Sequence, residues 1–414
     1  MTSDEQSGAS PTQPNQPVDE RPPVTSPSLK DKKIIYTTTI GSSTWSFLEG
    51  QLAHFRERGA DVIAVCTPDR LFAAATERER VKGHGIHMER EISPRSDIKA
   101  LASWITLLRL EKPDVINAGT PKAALLGLIS STVTGVPTRI YTVRGLRYET
   151  TTGTKRRVLR LIETLCCALS THVIAVSHGV ALQMKKDRIT KSPIIVIGDG
   201  SSNGVRAQDI AERADQLDPS ECRRIWSVPA NRLVVGFVGR ITPDKGGDCI
   251  TKALQLIHER RPDLDFALLV VGEAEDPDAV STLNKVPYPT YTTGWIDDTV
   301  PAFRAMDILC LPTKREGFPN VVLEAGAVSL PTVTTTATGA RESVIDGVTG
   351  HLVPVDDPSA LADALIEIGN SSRLRTAMGK AARERAIKLY PPERIWTALE
   401  SLYQGTAPAD TTYY

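Results

Sequence analysis

The sequence predicts an α/β protein of two domains, each a parallel sheet wrapped by helices, and three observations lead there. The chain has 414 residues, more than one hydrophobic core usually supports. Short apolar runs alternate with helical stretches, and Gly and Pro punctuate the joints, which is the signature of strand–helix–strand crossovers in a parallel sheet. The alternation lapses once, over the charged stretch 206–231, and then resumes, so the series divides into two doubly wound halves.

Taken in order, residues 1–31 carry Pro11, Pro14, Pro17, Pro22, Pro23 and Pro27 among Ser, Thr and Gln, with almost nothing to bury; they predict a disordered tail. From Lys32 the runs are IIYTTTI then WSFLEGQLAHFRERG, DVIAVCT then a charged helix, and IHMEREI then IKALASWITLLRL. DVINAG then KAALLGLISSTVTG, RIYTV then KRRVLRLIETLCCAL, HVIAVS and PIIVIGDG complete a first domain over 32–205. Residues 206–231 are read as the inter-domain connection. LVVGFVGRI, CITKALQLIHERR, FALLVVGEA, PTYTTGW, VPAFRAM, DILCLPT, VVLEAGAVS and PTVTTT then build a second domain over 232–390, with helices near 358–388. A helix at 391–404, expected to pack back on the first domain, and a tail at 405–414 end the series.

Composition narrows the function classes. The chain is 41% hydrophobic and 24% charged with zero formal net charge, as in a globular enzyme. Cys66, Cys166, Cys167, Cys222, Cys249 and Cys310 form no C-x-x-C pair, which argues against a disulfide framework and a structural zinc. The N-terminal stretch lacks the apolar segment of a signal peptide, and no run approaches the roughly 20 apolar residues of a membrane span, so a cytoplasmic location is expected. Zero net charge conceals an asymmetry: residues 32–191 hold 25 Lys and Arg against 14 Asp and Glu, whereas 192–414 hold 22 against 30. A basic first half favours an anionic partner. Lys155, Arg156, Arg157 and Arg160 precede an apolar stretch, the pattern of a helix lying on an anionic membrane surface.

The stretch KREGFPNVVLEAGAVSLPTV (314–333) places Glu316 and Glu324 on either side of a helix entry. Pro319 suits the first helical position. The N–H groups of Asn320, Val321 and Val322, with the helix dipole, would then form a phosphate site between two carboxylates. Carboxylates flanking a phosphate suit hydroxyl-bearing groups on both sides of it, the layout of a nucleotide diphosphate sugar.

EGFPNVVLEA, together with FVGRITPDKGG (237–247), TGWIDD (293–298), TTTATGARESVIDGVTGHLVP (334–354) and SSNGV (201–205), resembles the family 4 glycosyltransferases of the GT-B fold. The resemblance implies two Rossmann-like domains facing across a cleft, the first on the acceptor side and the second binding the donor. It implies retaining transfer of a hexose or N-acetylhexosamine from a nucleotide diphosphate sugar, UDP-sugar by preference, without a metal or other cofactor. The acceptor implied is a lipid-linked (polyprenyl diphosphate) sugar for capsule, exopolysaccharide or glycan; with the basic first half, this leads us to expect a peripheral enzyme on the inner face of the plasma membrane, with no nucleic acid as partner.

By the same resemblance Arg240 and Lys245 hold the donor diphosphate, Glu316 the donor sugar and Glu324 the ribose. Phe318, Pro319, Asn320, Val321 and Val322 border the donor, and backbone near Ile296 reads the nucleobase. Gly41, after the first strand, would let backbone N–H groups approach the diphosphate, with Gly339 a similar case. Two positions depart from the pattern: Arg144 and Gly119 stand where many members carry histidine. A guanidinium cannot act as a base, but it pairs well with phosphate or carboxylate. A nucleotide-sugar 2-epimerase of the same fold and a non-catalytic nucleotide-sugar scaffold are the competing classes. Asp263 and Asp265 resemble a D-x-D metal motif but precede a strand, so they are read as a turn.

Overall fold

A computed structural model describes residues 29–89, 91 and 93–414; most of the predicted N-terminal tail, residues 1–28, lies outside the described residues. Leu29 is already fully buried, and its N–H donates to the Arg58 carbonyl, so the first unit includes residues ahead of 32.

The first sheet contains β1 (Lys33–Thr37), β2 (Asp61–Cys66), β3 (Lys82–Gly85), β4 (Val115–Ala118), β5 (Thr138–Val143), β6 (His172–Ala175) and β7 (Ile194–Ile197). The second contains β8 (Leu233–Val238), β9 (Phe266–Val271), β10 (Thr290–Gly294), β11 (Ile308–Leu311), β12 (Thr332–Thr335) and β13 (Gly350–Val353). A last strand, β14 (Thr411–Tyr413), joins the first sheet antiparallel to β7. The sheet orders are β14-β7-β6-β5-β4-β1-β2-β3 and β10-β9-β8-β11-β12-β13. Apart from β14 every pairing is parallel, and in both sheets the strand order reverses beside the first strand, between β1 and β4 and between β8 and β11. Two doubly wound α/β units are therefore present.

Strands covered on both faces should be apolar at successive residues rather than at alternate ones. In β1, Ile35 enters the core with Trp104, Leu107 and Leu126 on one face, while Ile34 and Tyr36 enter the core with Leu52, Phe55, Trp396 and Leu402 on the other. The helix Pro392–Tyr403 supplies Ile395, Trp396, Leu399 and Tyr403 to that second core, so the end of the chain closes the first unit.

Three stretches differ from the sequence reading. Residues 206–231 are not a bare connection: the helices Ala207–Asp215 and Pro219–Ile225 form there, and Ala214, Cys222 and Val228 enter the core of the second unit with Val234 and Phe303. Small and apolar residues spaced among the charges give this stretch a buried face. The crossings between units are shorter and run side by side, with the Val205 N–H donating to the Tyr390 carbonyl at 2.8 Å. Residues 405–414 contain β14 and are not simply a tail. The third strand lies at Lys82–Gly85, ahead of the apolar run IHMEREI, because an edge strand needs one paired neighbour, here Ile63–Cys66, and little burial.

Candidate active site

Ligands of open parallel sheets bind outside the carboxyl ends of the strands where the strand order reverses. In the second unit that point lies between β8 and β11, and the loops after these strands bring together the charged residues singled out above. After β8 the chain passes Arg240 into a one-turn 3-10 helix at Pro243–Lys245. Gly246 follows with φ 78°, and a Cβ there would lie 1.9 Å from the Pro312 carbonyl oxygen. Only glycine lets this turn pack against the end of β11. The result is contact between Lys245 and the loop after β11: Lys245 Nζ donates to Glu316 Oε1 at 2.5 Å, both side chains being largely buried. Arg240 Nη1 donates to Glu275 Oε2 at 2.7 Å.

Two residues that sequence reasoning passed over support these cations. Arg315 Nη2 donates to Asp244 Oδ2 at 2.8 Å, and Asp244 Oδ1 accepts from Thr242 at 2.7 Å. Burial alone would raise the Asp244 carboxyl, but the Thr242 bond and the charges of Arg315, Lys245 and Arg240 hold it below its ordinary range. Asp244 is thus an anion sharing three cations. Both residues lie inside the quoted motifs, so their position beside Lys245 and Glu316 was the available signal.

The helix Asn320–Ala327 begins one residue later than predicted, with Pro319 as its N-cap. Its first turn offers less to a ligand than the sequence suggested. The Val322 N–H turns back to the Pro319 carbonyl at 3.1 Å, and the Val322 side chain is buried in the core of the second unit. Phe318 is likewise buried, packing on Tyr390 with ring centroids 5.4 Å apart and clustering with Val176 and Val205. Its side chain thus seats the inter-unit crossing. Asn320 Oδ1 accepts from Ser201 Oγ at 3.1 Å, and Val321 and Ile296 pack at the edge of the second core. Glu324 is pushed up to about 7 by burial and by the charge of Glu49 from the first unit.

On the first unit's wall, the Gly41 N–H donates to Asp69 Oδ2 at 2.9 Å, and a Cβ there would lie 1.9 Å from Asp69 Oδ1; the glycine makes room for that carboxylate. Arg144 Nη1 donates to the Ser202 carbonyl at 3.2 Å and to Ser202 Oγ, while its buried Nε has no partner among the described residues. A Cβ at Gly119 would lie 2.7 Å from that Nε. The two departures from the family pattern are therefore one arrangement, since Arg144 lies where a side chain at 119 would begin. Burial lowers Arg144 to about 10, against the charges of Tyr36 and Tyr403.

The two walls touch. A Cβ at Gly317 would lie 2.3 Å from the Arg144 carbonyl oxygen, and one at Gly339 would lie 2.0 Å from the Gly317 carbonyl oxygen. Three backbone segments thus stack directly beneath Glu316. Thr338 Oγ1 donates to Glu149 Oε1 at 2.7 Å. Glu342 accepts from the N–H groups of His178, at 2.9 Å, and Gly179 at the start of the helix His178–Lys186, where a carboxylate is favoured by the helix dipole.

On the outer face, the helix Gly153–Leu169 exposes Lys155, Arg156 and Arg157 together with Leu161 and Leu165. Arg160 belongs elsewhere, donating to the Asp187 carbonyl at 2.5 Å and lying over the Tyr148 ring. Among the described residues no helix is long and apolar enough to cross a membrane, and no cluster of His, Cys, Asp and Glu has the grouping of a metal site.

Comparison with known proteins accords with this architecture. Residues 232–371 match the family described as glycosyl transferases group 1, and residues 44–200 match a glycosyl transferase 4-like domain. The capsular polysaccharide biosynthesis glycosyltransferase CapM of Staphylococcus aureus is 33% identical over 382 residues, covering 91% of this chain and 97% of that protein. The UDP-Gal:α-D-GlcNAc-diphosphoundecaprenol α-1,3-galactosyltransferase of Escherichia coli is 26% identical over 329 residues, covering 76% and 81%. Among solved structures, Anabaena Alr3699/HepE in complex with UDP-glucose superposes with a TM-score of 0.72 at 19% identity, covering 90% of this chain and 99% of that one. A glycosyltransferase from Rickettsia africae ESF-5 gives 0.73 at 17% identity, covering 90% and 98%.

Proposed function

The chain belongs to the glycosyl transferase group 1 family and is a glycosyltransferase of the GT-B fold, and on that premise we propose that it transfers a hexose or N-acetylhexosamine from a UDP-sugar to a lipid-diphosphate-linked sugar, with retention of configuration, in capsule or related glycan synthesis. The observation that carries the reading is the Lys245–Glu316 pair, with Arg240 nearby, at the strand-order reversal of the second unit. The likeness to a capsule glycosyltransferase and to an enzyme whose printed acceptor is a diphosphoundecaprenol-linked sugar supports the acceptor class.

The charges suit the chemistry. When a donor diphosphate enters, its oxygens replace the carboxylates of Glu316 and Glu275 as partners of Lys245 and Arg240, and Glu316 is released to accept hydrogen bonds from the donor sugar. As the bond between the anomeric carbon and the diphosphate oxygen breaks, negative charge grows on the diphosphate, where two fixed cations stabilise it. The acceptor hydroxyl bonds to the same face of the anomeric carbon, and its proton passes to a diphosphate oxygen. No protein base is required, which accords with a guanidinium at position 144. Glu324 takes the ribose hydroxyls in this reading.

Incubation with a panel of UDP-sugars and a decyl diphosphate bearing α-N-acetylglucosamine, with EDTA present throughout, tests it. Transfer with retained configuration is expected; conversion of a UDP-sugar to its 2-epimer without acceptor would assign the chain to the isomerases instead. The basic, leucine-bearing helix Gly153–Leu169 is proposed to hold the enzyme on an anionic leaflet. Each basic residue near such a surface contributes about 1 kcal/mol, and salt screens that attraction. Changing Lys155, Arg156 and Arg157 to Gln should reduce co-sedimentation with anionic vesicles at low salt, and equal sedimentation would remove the helix from that role.

A further inference from the structure

The loops after β8 and β11 meet through two ion pairs, and the proposed chemistry uses only one of them. Asp244 and Lys245 are consecutive on the first loop, Arg315 and Glu316 on the second. Asp244 Oδ2 accepts from Arg315 Nη2 at 2.8 Å, and Lys245 Nζ donates to Glu316 Oε1 at 2.5 Å. Acid and base on one loop thus face base and acid on the other, so the two pairs share one register. All four side chains are largely buried. Backbone bonds fix that register: the Asp244 carbonyl accepts the Lys314 N–H at 2.9 Å and lies 3.1 Å from Oγ1 of the fully buried Thr313. Lys314 itself binds a different set of carboxylates, Asp356 at 2.7 Å and Asp248 at 3.4 Å, and so steadies the second loop independently of Asp244.

A donor acts differently on the two pairs. Its diphosphate takes Lys245 from Glu316, so the bond between these two groups is broken at the moment when both must be in place. Asp244 and Arg315 have no part in that exchange. Burial opposes the Asp244 charge, yet the Thr242 bond at 2.7 Å and the cations Arg315, Lys245 and Arg240 hold its carboxyl below the ordinary range, so it remains an anion opposite Arg315. Resting on the transfer reading above, we propose that Asp244 and Arg315 are a positioning pair: their contact keeps the spacing of Lys245 and Glu316 after the donor has parted those two. The cation then meets the leaving diphosphate while the acid holds the sugar. Such alignment matters because a misplacement of about 1 Å can cost about 100-fold in rate.

Asp244→Ala, Arg315→Ala, the double variant and Arg315→Lys test the pair. With UDP-sugar and the decyl diphosphate α-N-acetylglucosamine both saturating, each alanine change should lower kcat about 10- to 100-fold. Affinity for UDP, measured by titration calorimetry, should stay within about 3-fold of wild type, because UDP carries no sugar for Glu316 to hold and needs no alignment of the two loops. The double variant should be no slower than the slower single one, since its second change removes the partner of a contact already lost. Arg315→Lys keeps a donor for the single bond to Asp244 and should recover most of the lost kcat. Losses that multiply in the double variant would overturn the proposal, as would an Arg315→Lys enzyme as slow as Arg315→Ala. A parallel fall of kcat and UDP affinity would also overturn it, because a pair that merely keeps the loops folded affects both. A wild type that binds UDP but transfers from no UDP-sugar would sink the transfer reading and the proposal together. Each of the other outcomes is scored against a wild type that transfers, and it sinks the positioning role alone.

Discussion

The two walls of the cleft solve the problem of carrying charge in different ways. On the second unit's wall three cations are each paired with a carboxylate: Lys245 with Glu316, Arg240 with Glu275, and Arg315 with Asp244. On the first unit's wall, Arg144 has a hydroxyl and a carbonyl as its hydrogen-bond partners and is positioned by the missing side chain at Gly119. Paired charges can exchange partners when an anionic ligand arrives, because each ion keeps a counter-charge throughout. A cation wedged by packing cannot move without a rearrangement of its neighbours. The second wall is suited to chemistry that builds and releases charge, and the first to holding shape at the crossing between the units.

The sharpest way to break this comparison is to remove the partners on the second wall. Glu316→Ala should lower turnover far more than nucleotide affinity, and Lys245→Ala should weaken both, by about 10- to 1,000-fold in kcat/KM for loss of one preorganised group. Steady-state kinetics with a UDP-sugar decides it, and a Glu316→Ala enzyme with unimpaired transfer would end the assignment of that wall.

A smaller effect probes the first wall. Gly119→Ala places a methyl group against Arg144 Nε, so it should displace the guanidinium from Ser202 and cost several-fold in kcat/KM. In an Arg144→Ala background the same substitution meets nothing, and its cost should vanish. Contacting residues typically couple by 0.5 to 3 kcal/mol, or about 2- to 150-fold. Additive effects in the double variant would show that the two positions act separately.

The smallest effect lies behind that wall. Glu163 is buried against Tyr141, whose hydroxyl donates to it at 2.6 Å. Burial pushes its carboxyl from the ordinary 4.5 up to about 7, although the Tyr141 bond and Arg147 oppose the shift. The folded chain therefore holds this proton more tightly than the unfolded chain. The stabilisation is complete below pH 4.5 and is lost as pH rises through about 7. Relative to wild type, Glu163→Gln should be more stable at pH 8 than at pH 5 by on the order of 1 to 3 kcal/mol. Urea unfolding at the two pH values measures the difference, and an unchanged gap would mean that Glu163 stays ionised.

The strand–helix alternation, the order of the strands along the chain and the family motifs of the second unit could all be read from residues close together in sequence. Hydrophobic period and glycine spacing are local properties, and the motifs containing Arg240, Lys245 and Glu316 are compact enough to carry their own context. What could not be read was contact with distant partners. Gly41 packs against the Asp69 carboxylate, and Phe318, inside a family motif, packs on Tyr390 across 72 residues of chain. Residues 206–231 looked like a connection because their charges hide the small residues that pack on the second core.

By itself the sequence determined two doubly wound units and the charged residues of one wall, since these depend on patterns a few residues long. Tertiary structure alone decided which charge meets which: that Arg144 lies over Gly119, that Glu149 reaches Thr338 across 189 positions, and that Glu342 caps a helix of the opposite unit. The physical reason is range. Strand and helix periods are set by neighbouring backbone geometry, whereas a hydrogen bond between units exists only after two independently packed cores have brought their loops within about 3 Å of each other.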